Sequence, residues 1–395
     1  MWFYAACCVA YAVSGAYLNV YGADAPLIMR WYDIDAATQG LLVTMQSIGG
    51  TAGAVFLAFR GEWFNRIYSL TSGCLLLGGG CVLMGIAPPF ALLGLLAIAA
   101  GLGFTLIDVN VNGVIADVWP ERKGTLLALG HAGYGAGAML SPSMAALLAS
   151  TQDPRTFGAP FLAVGAVALA VFVIAAVSGR LLTPATPYRD LSSARRNVQS
   201  NAGEVFRSPL AWILLVAGIL YFSFQLGVAS WLPSWGMEAG MSFEDANFLT
   251  SGFFAGQLVM SIACALILRH VSAGKLFGMS GLASAACMAA ALLIGQGAAV
   301  PVLVTASGFF QGSGVITLIV VLTDAFPTRS ASASSIQVIG ANSAALTAPL
   351  WMGWMADYTG FSLPLLVACI LYAAGCVIVL RFAGNPAAEA GSKSA

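Results

Sequence analysis

Two carboxylic acids lie deep inside apolar segments of this sequence. Asp108 stands in "GLGFTLIDVNVNGVIADV" with Asn112 four residues later, and Asp24 stands in "YLNVYGADAPL". Residues three or four apart share one face of a helix, so Thr105, Asp108 and Asn112 form one polar stripe. Lipid rejects such a stripe, which must therefore face the protein interior or a watery cavity. Because a carboxyl group removed from water can exchange protons near neutral pH, both acids are candidate proton-coupling residues.

A histidine on the next apolar segment lies at a similar depth. Measured from the turn near Glu121, Asp108 is about 20 Å and His131 about 15 Å along their helices, at ~1.5 Å per residue. A membrane core ~30 Å thick places both side chains near its middle. Because histidine titrates near neutrality, His131 is a candidate link between a proton and a bound solute. Whether the two side chains touch depends on helix rotation, which the sequence leaves open.

Long apolar helices must position these residues. The chain has 395 residues, of which 59% are hydrophobic and only 8% are charged. Apolar runs of about 20 residues, enough to cross a bilayer core, recur along it. We predict an all-α membrane protein with twelve transmembrane helices. These spans cover residues 2–30, 38–59, 67–87, 90–117, 124–149, 158–182, 209–236, 245–268, 276–296, 299–325, 331–355 and 361–383.

The positions of the basic residues predict the orientation of the chain. Of the 16 lysines and arginines, only Arg30 and Arg155 fall on the side opposite the termini. Cytoplasmic loops carry an excess of Lys and Arg, so both termini are predicted to be cytoplasmic. The localisation expected from this pattern is a bacterial inner membrane, with the chain as a multi-pass integral protein in contact with the lipid bilayer.

Several classes of partner and cofactor are not indicated. All eight cysteines fall within apolar spans, where they act as small packing residues, and neither zinc-ligand spacing nor a phosphate-binding glycine loop occurs. We therefore expect neither a metal nor another cofactor. The formal net charge is zero, and we expect no nucleic-acid partner.

A polar interruption divides the spans into two groups of six. Residues 183–208 are rich in proline, serine and arginine. The predicted organisation is an N-terminal six-helix bundle (1–182), a cytoplasmic linker (183–208) and a C-terminal six-helix bundle with a short cytoplasmic tail (209–395).

The two groups repeat each other at one offset. "DVWPER" at 117–122 matches "DAFPTR" at 324–329, and the pairs Pro26/Pro233 and Pro142/Pro349 keep the same separation of 207 residues. Because each copy has six spans, an even number, the two copies have the same orientation in the membrane. An axis along the membrane normal should therefore relate them, and a binding site is expected near the midplane between them.

The repeated DxxPxR sequence predicts a cytoplasmic gate. Its charged residues stand at the turns that follow spans 4 and 10 in both copies. A short surface charge network is the alternative interpretation. The residues concerned are Asp117, Arg122, Asp324 and Arg329.

Twelve spans in two parallel halves, a basic linker and DxxPxR resemble the major facilitator superfamily over essentially the whole chain. "NVYGADAPL", "GLGFTLIDVNVN", "HAGYGAGAMLSP" and "GVASWLPSW" are similar to its fucose–proton symporter group. The resemblance implies that Asp24 and Asp108 are the acids of spans 1 and 4, that Asn112 partners the second, and that His131 contacts the sugar. Gln225 replaces a glutamate that is frequent in span 7, and "RGEWFNR" lacks the usual aspartate of the span 2–3 loop.

Other polar and aromatic residues are further candidates for binding the solute. Gln311 and Asn342 lie in apolar spans, where hydrogen bonding between helices is the alternative role. Tyr21 shares a face with Asp24, and Trp231 lies near the outer end of span 7, where an interfacial aromatic belt would explain it equally well.

We predict a secondary active transporter, with proton-coupled symport of a small neutral polar solute, a sugar or polyol, by alternating access. The absence of a deep Lys or Arg argues against anionic solutes. The alternative is a proton-driven exporter of amphipathic or cationic compounds. A membrane sensor, an enzyme and a passive facilitator have less support, because no signalling domain or catalytic set occurs and the two acids suggest coupling. Sodium coupling is not excluded, and the protein is expected to act as a monomer.

Overall fold

The architecture is helical throughout the part of the chain that the computed structural model describes, residues 2–60, 65–119, 121–182, 205, 207–326 and 330–382. No β-strand occurs there. Arg329 and nearly all of the predicted linker lie outside the described residues. The α-helices are α1 (Trp2–Ala23), α2 (Ala25–Tyr32), α3 (Ala36–Arg60), α4 (Arg66–Gly85), α5 (Phe90–Val118), α6 (Lys123–Leu148), α7 (Gly158–Leu182), α8 (Pro209–Glu238), α9 (Phe243–Ile267), α10 (Ala273–Ile294), α11 (Ala299–Gln311), α12 (Gly314–Ala325), α13 (Ser330–Thr359) and α14 (Ser362–Phe382).

These bounds confirm the predicted all-α membrane fold. The helix ends agree with the twelve predicted spans to within about one helical turn. Ten segments of the described residues are long and apolar enough to cross a membrane by length and composition. The remaining two predicted spans correspond to α6 and α13, which are rich in glycine, alanine and serine. Small residues of this kind let neighbouring helices approach closely in a bilayer.

Two predicted spans are not continuous helices. Span 1 is broken at Asp24, between α1 and α2, where Pro26 occupies the first turn of α2. Proline has no N–H to donate and its ring clashes with the carbonyl four residues earlier, so Pro26 weakens the helix at this point. Span 10 is broken at Gly312 and Ser313, between α11 and α12. There a Cβ on Gly312 would lie 2.3 Å from the carbonyl oxygen of Gln257, so α9 contacts this break directly.

Helix neighbours in the two halves correspond. In the first half α4 packs against α5 and α7, and in the second half α10 packs against α11 and α14. In terms of the predicted spans, span 3 packs against spans 4 and 6, and its repeat equivalent, span 9, packs against spans 10 and 12. The first half also contains the pairs α1 with α6 and α3 with α5. Helices α1, α5 and α6, which carry the candidate residues, are therefore held in one packed group.

The chain forms two compact units, each assembled from more than one stretch of sequence. Unit 1 comprises residues 1–190, 229–251 and 349–358, and unit 2 comprises 191–228, 252–348 and 359–395. Unit 1 contains a large buried core that includes Tyr17, Val111 and Phe161. Unit 2 contains a smaller cluster around Met260, Cys264 and Leu276. The division at the linker remains a prediction.

Candidate functional site

Asp108 lies in the middle of α5 with its side chain half-buried. One turn later, the Asn112 side-chain nitrogen donates a hydrogen bond to the main-chain oxygen of Asp108 at 2.9 Å. This bond leaves the carboxyl group of Asp108 free to interact with neighbouring helices. It also fixes the amide of Asn112 beside the acid, so the two predicted site residues lie together.

His131 approaches this acid from α6. The Asp108 carboxyl and the exposed His131 imidazole lie within electrostatic range of each other, so the two helices are rotated to bring these side chains to the same region. Among the described residues, neither a hydrogen bond nor an ion pair joins the two side chains. Tyr134, one turn after His131, also lies within electrostatic range of Asp108. Sequence reasoning missed Tyr134, although its spacing of three residues from His131 places it on the same helix face.

Tyr11 of α1 completes the cluster. Its ring centroid lies 5.0 Å from that of His131, with 33° between the ring planes. Its hydroxyl donates to the main-chain oxygen of Asp108 at 3.5 Å, a long hydrogen bond. The ring is fully buried, and it fills the space in which a Cβ on Gly130 would lie. The sequence carried no signal for Tyr11, because a tyrosine in an apolar span is ordinarily a packing residue.

The rest of the polar stripe on α5 packs against α3. The Thr105 hydroxyl donates to the main-chain oxygen of Gly50 at 2.9 Å. A Cβ on Gly101 would lie 2.0 Å from the main-chain oxygen of Gln46, so the two backbones are in close contact. This end of the stripe therefore faces the protein interior as a helix–helix contact, while Asp108 and Asn112 face α1 and α6.

Asp24 occupies a different environment, at the break between α1 and α2. The residue is fully buried, and neither carboxyl oxygen has a hydrogen-bond partner among the described residues. Gln39 of α3 lies close by, because its side-chain nitrogen donates to the main-chain oxygen of Tyr21 at 3.1 Å. The structure thus does not join Asp24 to the cluster around Asp108.

Tyr21 and Trp231, two predicted solute contacts, are both fully buried in unit 1. The Tyr21 hydroxyl donates to the Tyr17 hydroxyl at 3.3 Å, within the core of the first half. The Trp231 indole nitrogen donates to the main-chain oxygen of Pro349 at 3.2 Å. In this structure both side chains serve helix packing, and neither is exposed to a solute.

The three remaining predicted solute contacts lie in unit 2. Gln225 in α8 and Asn342 in α13 are half-buried. Gln311, at the end of α11, is fully buried, and within the described residues neither atom of its amide has a hydrogen-bond partner. The buried Tyr221 side chain, missed by sequence reasoning, lies next to this amide. Gln311 thus stands beside the break in span 10 with its hydrogen-bonding groups unused.

The predicted gate residues lie at the ends of α5, α6 and α12. Asp117 is in the last turn of α5, Arg122 is exposed immediately before α6, and Asp324 is exposed in the last turn of α12. Arg66, at the start of α4, packs its guanidinium group against Gly113, where a Cβ would lie 2.1 Å from Nη1. This contact brings the start of α4 onto the same end of α5.

Metal chemistry is not indicated in the ranges that the structure describes. No group of three or more His, Cys, Asp or Glu residues there has the geometry to hold a metal ion. The eight cysteines are free thiols, six of them buried within the helices.

Comparison with known proteins assigns the fold to a family. The sequence profile of the Major Facilitator Superfamily matches residues 7–300 and 238–395. Protein TsgA of Salmonella arizonae is 26% identical over 387 residues, covering 95% of this chain and 92% of that protein. A bacterial homolog of the human lysosomal transporter Spinster superposes with a TM-score of 0.80 at 14% identity, covering 98% of this chain and 97% of that one. The D-xylose-proton symporter gives a TM-score of 0.78 at 14% identity, covering 96% and 97%.

Proposed function

The chain belongs to the major facilitator superfamily of membrane transporters, and we propose that it couples proton movement to the movement of a small neutral polar solute, a sugar or polyol. Transport would follow alternating access, with the solute bound between the two six-helix halves. The observation that carries the proposal is the proximity of Asp108 to His131 on two neighbouring helices. Two titratable groups on facing helices, flanked by Asn112 and Tyr11, offer a proton site beside hydrogen-bonding groups.

In the proposed mechanism, the proton and the solute are bound by different residues. Asp108 would carry the coupled proton because it is half-buried in the middle of α5. His131 would join the two processes, since its exposed imidazole can bind a hydroxyl group in one state and interact with Asp108 in the other. Asp24 is proposed as a second proton-coupling residue, because a buried carboxyl without hydrogen bonds is tolerated far better when neutral than when charged.

The proposed solute is neutral and rich in hydroxyl groups. Amides bind hydroxyl groups both as donors and as acceptors, and the candidate contacts are largely amides. Anionic solutes require a compensating positive charge within the membrane, and the apolar spans lack a deep Lys or Arg. The D-xylose-proton symporter has the same fold, which makes a sugar a reasonable first test. The candidate contacts are Asn112, His131, Gln225, Gln311 and Asn342, with Tyr21 and Trp231 if the helices rearrange.

The proposed topology follows the distribution of basic residues. Both termini would face the cytoplasm of a bacterial cell, with the chain as a monomer in the inner membrane. The charged residues at the ends of α5 and α12 would then form the cytoplasmic gate. Cysteine-accessibility labelling at Arg122 and at Arg30 tests this arrangement, because the two positions should react from opposite sides of the membrane.

The first experiment is a ligand screen with purified protein. A selective ligand raises the unfolding temperature by mass action, so thermal shifts are measured against sugars, polyols and amphipathic cations. The selected solute is then followed in proteoliposomes together with proton flux and, separately, with a sodium gradient. Solute accumulation driven by a proton gradient supports the proposal. Selection of cations with proton exchange in the opposite direction would support the exporter instead, and solute movement that ignores both gradients would refute coupling.

A further inference from the structure

The first turn of α3 is capped by a side chain from a distant helix. The Asp357 carboxyl, near the end of α13, accepts hydrogen bonds from the main-chain nitrogens of Ala36 at 2.8 Å and Ala37 at 3.0 Å. Each amide reaches a different carboxyl oxygen. We call this pair of hydrogen bonds the Asp357 cap. All of its residues belong to unit 1.

The Asp357 carboxyl accepts from amides of α3 to which the side chain of Asp35 does not bond. The first amides of a helix have no partner within the helix, and they carry the positive end of its dipole. The Asp35 side chain accepts from the Thr38 nitrogen at 2.8 Å, and its main-chain oxygen accepts from Gln39 at 3.1 Å. Hydrogen bonds from Thr38 lower the pKa of Asp35, so a carboxylate is favoured at this helix end. The Asp357 carboxyl supplies the bonds of the first two amides.

The Asp357 cap closes one end of a tight seam between α3 and α13. A Cβ on Gly353 would lie 2.3 Å from the main-chain oxygen of Ala36, and one on Gly40 would lie 2.4 Å from that of Pro349. The Trp231 indole also bonds the Pro349 oxygen at 3.2 Å. Such backbone contacts leave no room for water between the two helices, so separating them exposes the capped amides and the Trp231 ring together.

The repeat-related seam, between α6 and α9, is built differently. Position 150, which corresponds to Asp357 at the offset of 207 residues, is a serine. Helix α9, the equivalent of α3, is capped within its own first turn, where the Ser242 hydroxyl accepts from the Asp245 nitrogen at 3.0 Å and donates to its carboxyl at 2.9 Å. The hydroxyls of Ser143 and Ser251 bond across this seam at 2.8 Å. A neutral hydroxyl pair is weaker than a carboxylate bonded to two amides.

We propose that the Asp357 cap is a conformational restraint, which holds α3 against α13 in this state and must break before the two helices separate. The α6–α9 seam, which has no equivalent carboxylate in the described residues, would separate more readily. This inference goes beyond the proposed function, because it depends on neither the solute nor the coupling ion. It would stand even if proton coupling were disproved.

Hydrogen–deuterium exchange of the protein in lipid nanodiscs tests the restraint without a transport assay. Asp357→Ala removes both acceptors, and the amides of Ala36 and Ala37 should then exchange at least about tenfold faster. If the cap restrains the seam, peptides covering residues 229–235 and 349–356 should also exchange faster. Asp357→Asn, which keeps one acceptor oxygen without the charge, should give an intermediate increase and guards against a folding defect in the alanine variant.

The matched control is Asp245→Ala, which removes a carboxylate from the first turn of the repeat-related helix. It should accelerate exchange near residues 243–246 and leave the α3–α13 seam unchanged. Faster exchange of Ala36 and Ala37 alone, with residues 229–235 and 349–356 as protected as before, would reduce Asp357 to a local cap. Unchanged exchange at Ala36 and Ala37 in the alanine variant would overturn the proposal entirely.

Discussion

Asp24 and Asp108 are the two acids deep within the spans of the first half, and the structure gives them opposite surroundings. Asp108 is half-buried and lies within electrostatic range of His131, Tyr11 and Tyr134 from two other helices. Asp24 is fully buried at a helix break, without a hydrogen bond from the described residues to its carboxyl group. Two acids predicted at similar depth therefore differ in their access to water and in the groups that surround them. If both take part in proton coupling, as proposed, this difference should separate their roles.

Under the proposed function, the two acids would have different tasks. A group that water reaches can exchange its proton in the present state, so Asp108 would load or release its proton here. A sealed carboxyl must wait until the surrounding helices move, because proton exchange needs a hydrogen-bonded route. The two acids would therefore titrate at different stages of a transport cycle, and variants at the two positions should fail in different ways.

The largest effect is expected at Asp108. Asp108→Asn keeps the size and hydrogen bonding of the side chain but cannot titrate, so accumulation of solute against its gradient should be lost while counterflow exchange survives. Proton and solute fluxes in proteoliposomes measure both. The control is Asp245→Asn, an exposed acid in the first turn of α9 that lies outside both the cluster and the predicted gate. Full gradient-driven accumulation by an Asp24→Asn, Asp108→Asn double variant would remove both acids from the mechanism.

A smaller loss is expected at His131. His131→Ala removes an exposed imidazole within electrostatic range of Asp108, so solute binding should weaken by about tenfold, or about 1.4 kcal/mol. The number of protons moved per solute should change little. Calorimetry with the ligand found by screening measures the affinity. His270→Ala is the control, because this is the other histidine of the chain and it lies exposed in the turn before α10. Equal effects of the two variants would exclude a specific role for His131.

Thermal stability should also distinguish the two acids, but here the larger change is expected at Asp24 rather than at Asp108. A buried polar group without a partner costs about 1–3 kcal/mol, so Asp24→Val should raise the unfolding temperature by a few degrees. Asp108→Val removes a carboxyl that is only half-buried and so keeps contact with water, and it should lower the unfolding temperature or leave it unchanged. Thermal unfolding in the same detergent compares them. A loss of stability in Asp24→Val would indicate that the carboxyl has a stabilising partner and would weaken the contrast between the two sites.

The sequence was sufficient for the architecture and for part of the site. Apolar runs of about 20 residues predicted the spans, and counting residues from the turn near Glu121 placed Asp108 and His131 at similar depths in the membrane. The sequence could not show that Asp24 and Asp108 have different surroundings, because burial and hydrogen bonding depend on which helices pack around each acid. Pro26 alone did not predict the break at Asp24, because Pro142, Pro233 and Pro349 lie inside continuous helices. Trp231 could not be assigned either, since its partner is a main-chain oxygen far away in sequence.

The smallest expected effect concerns the hydroxyl of Tyr11. Its hydrogen bond to the Asp108 main-chain oxygen is long, at 3.5 Å, and a bond of that length contributes little. Tyr11→Phe keeps the ring at 5.0 Å from His131 and should weaken solute binding by less than about threefold. Tyr11→Leu removes the ring that supports the imidazole, so it should approach the tenfold loss of His131→Ala. If Tyr11→Phe alone reaches that loss, the hydroxyl rather than the ring connects α1 to the Asp108 cluster, and the proton route must include Tyr11.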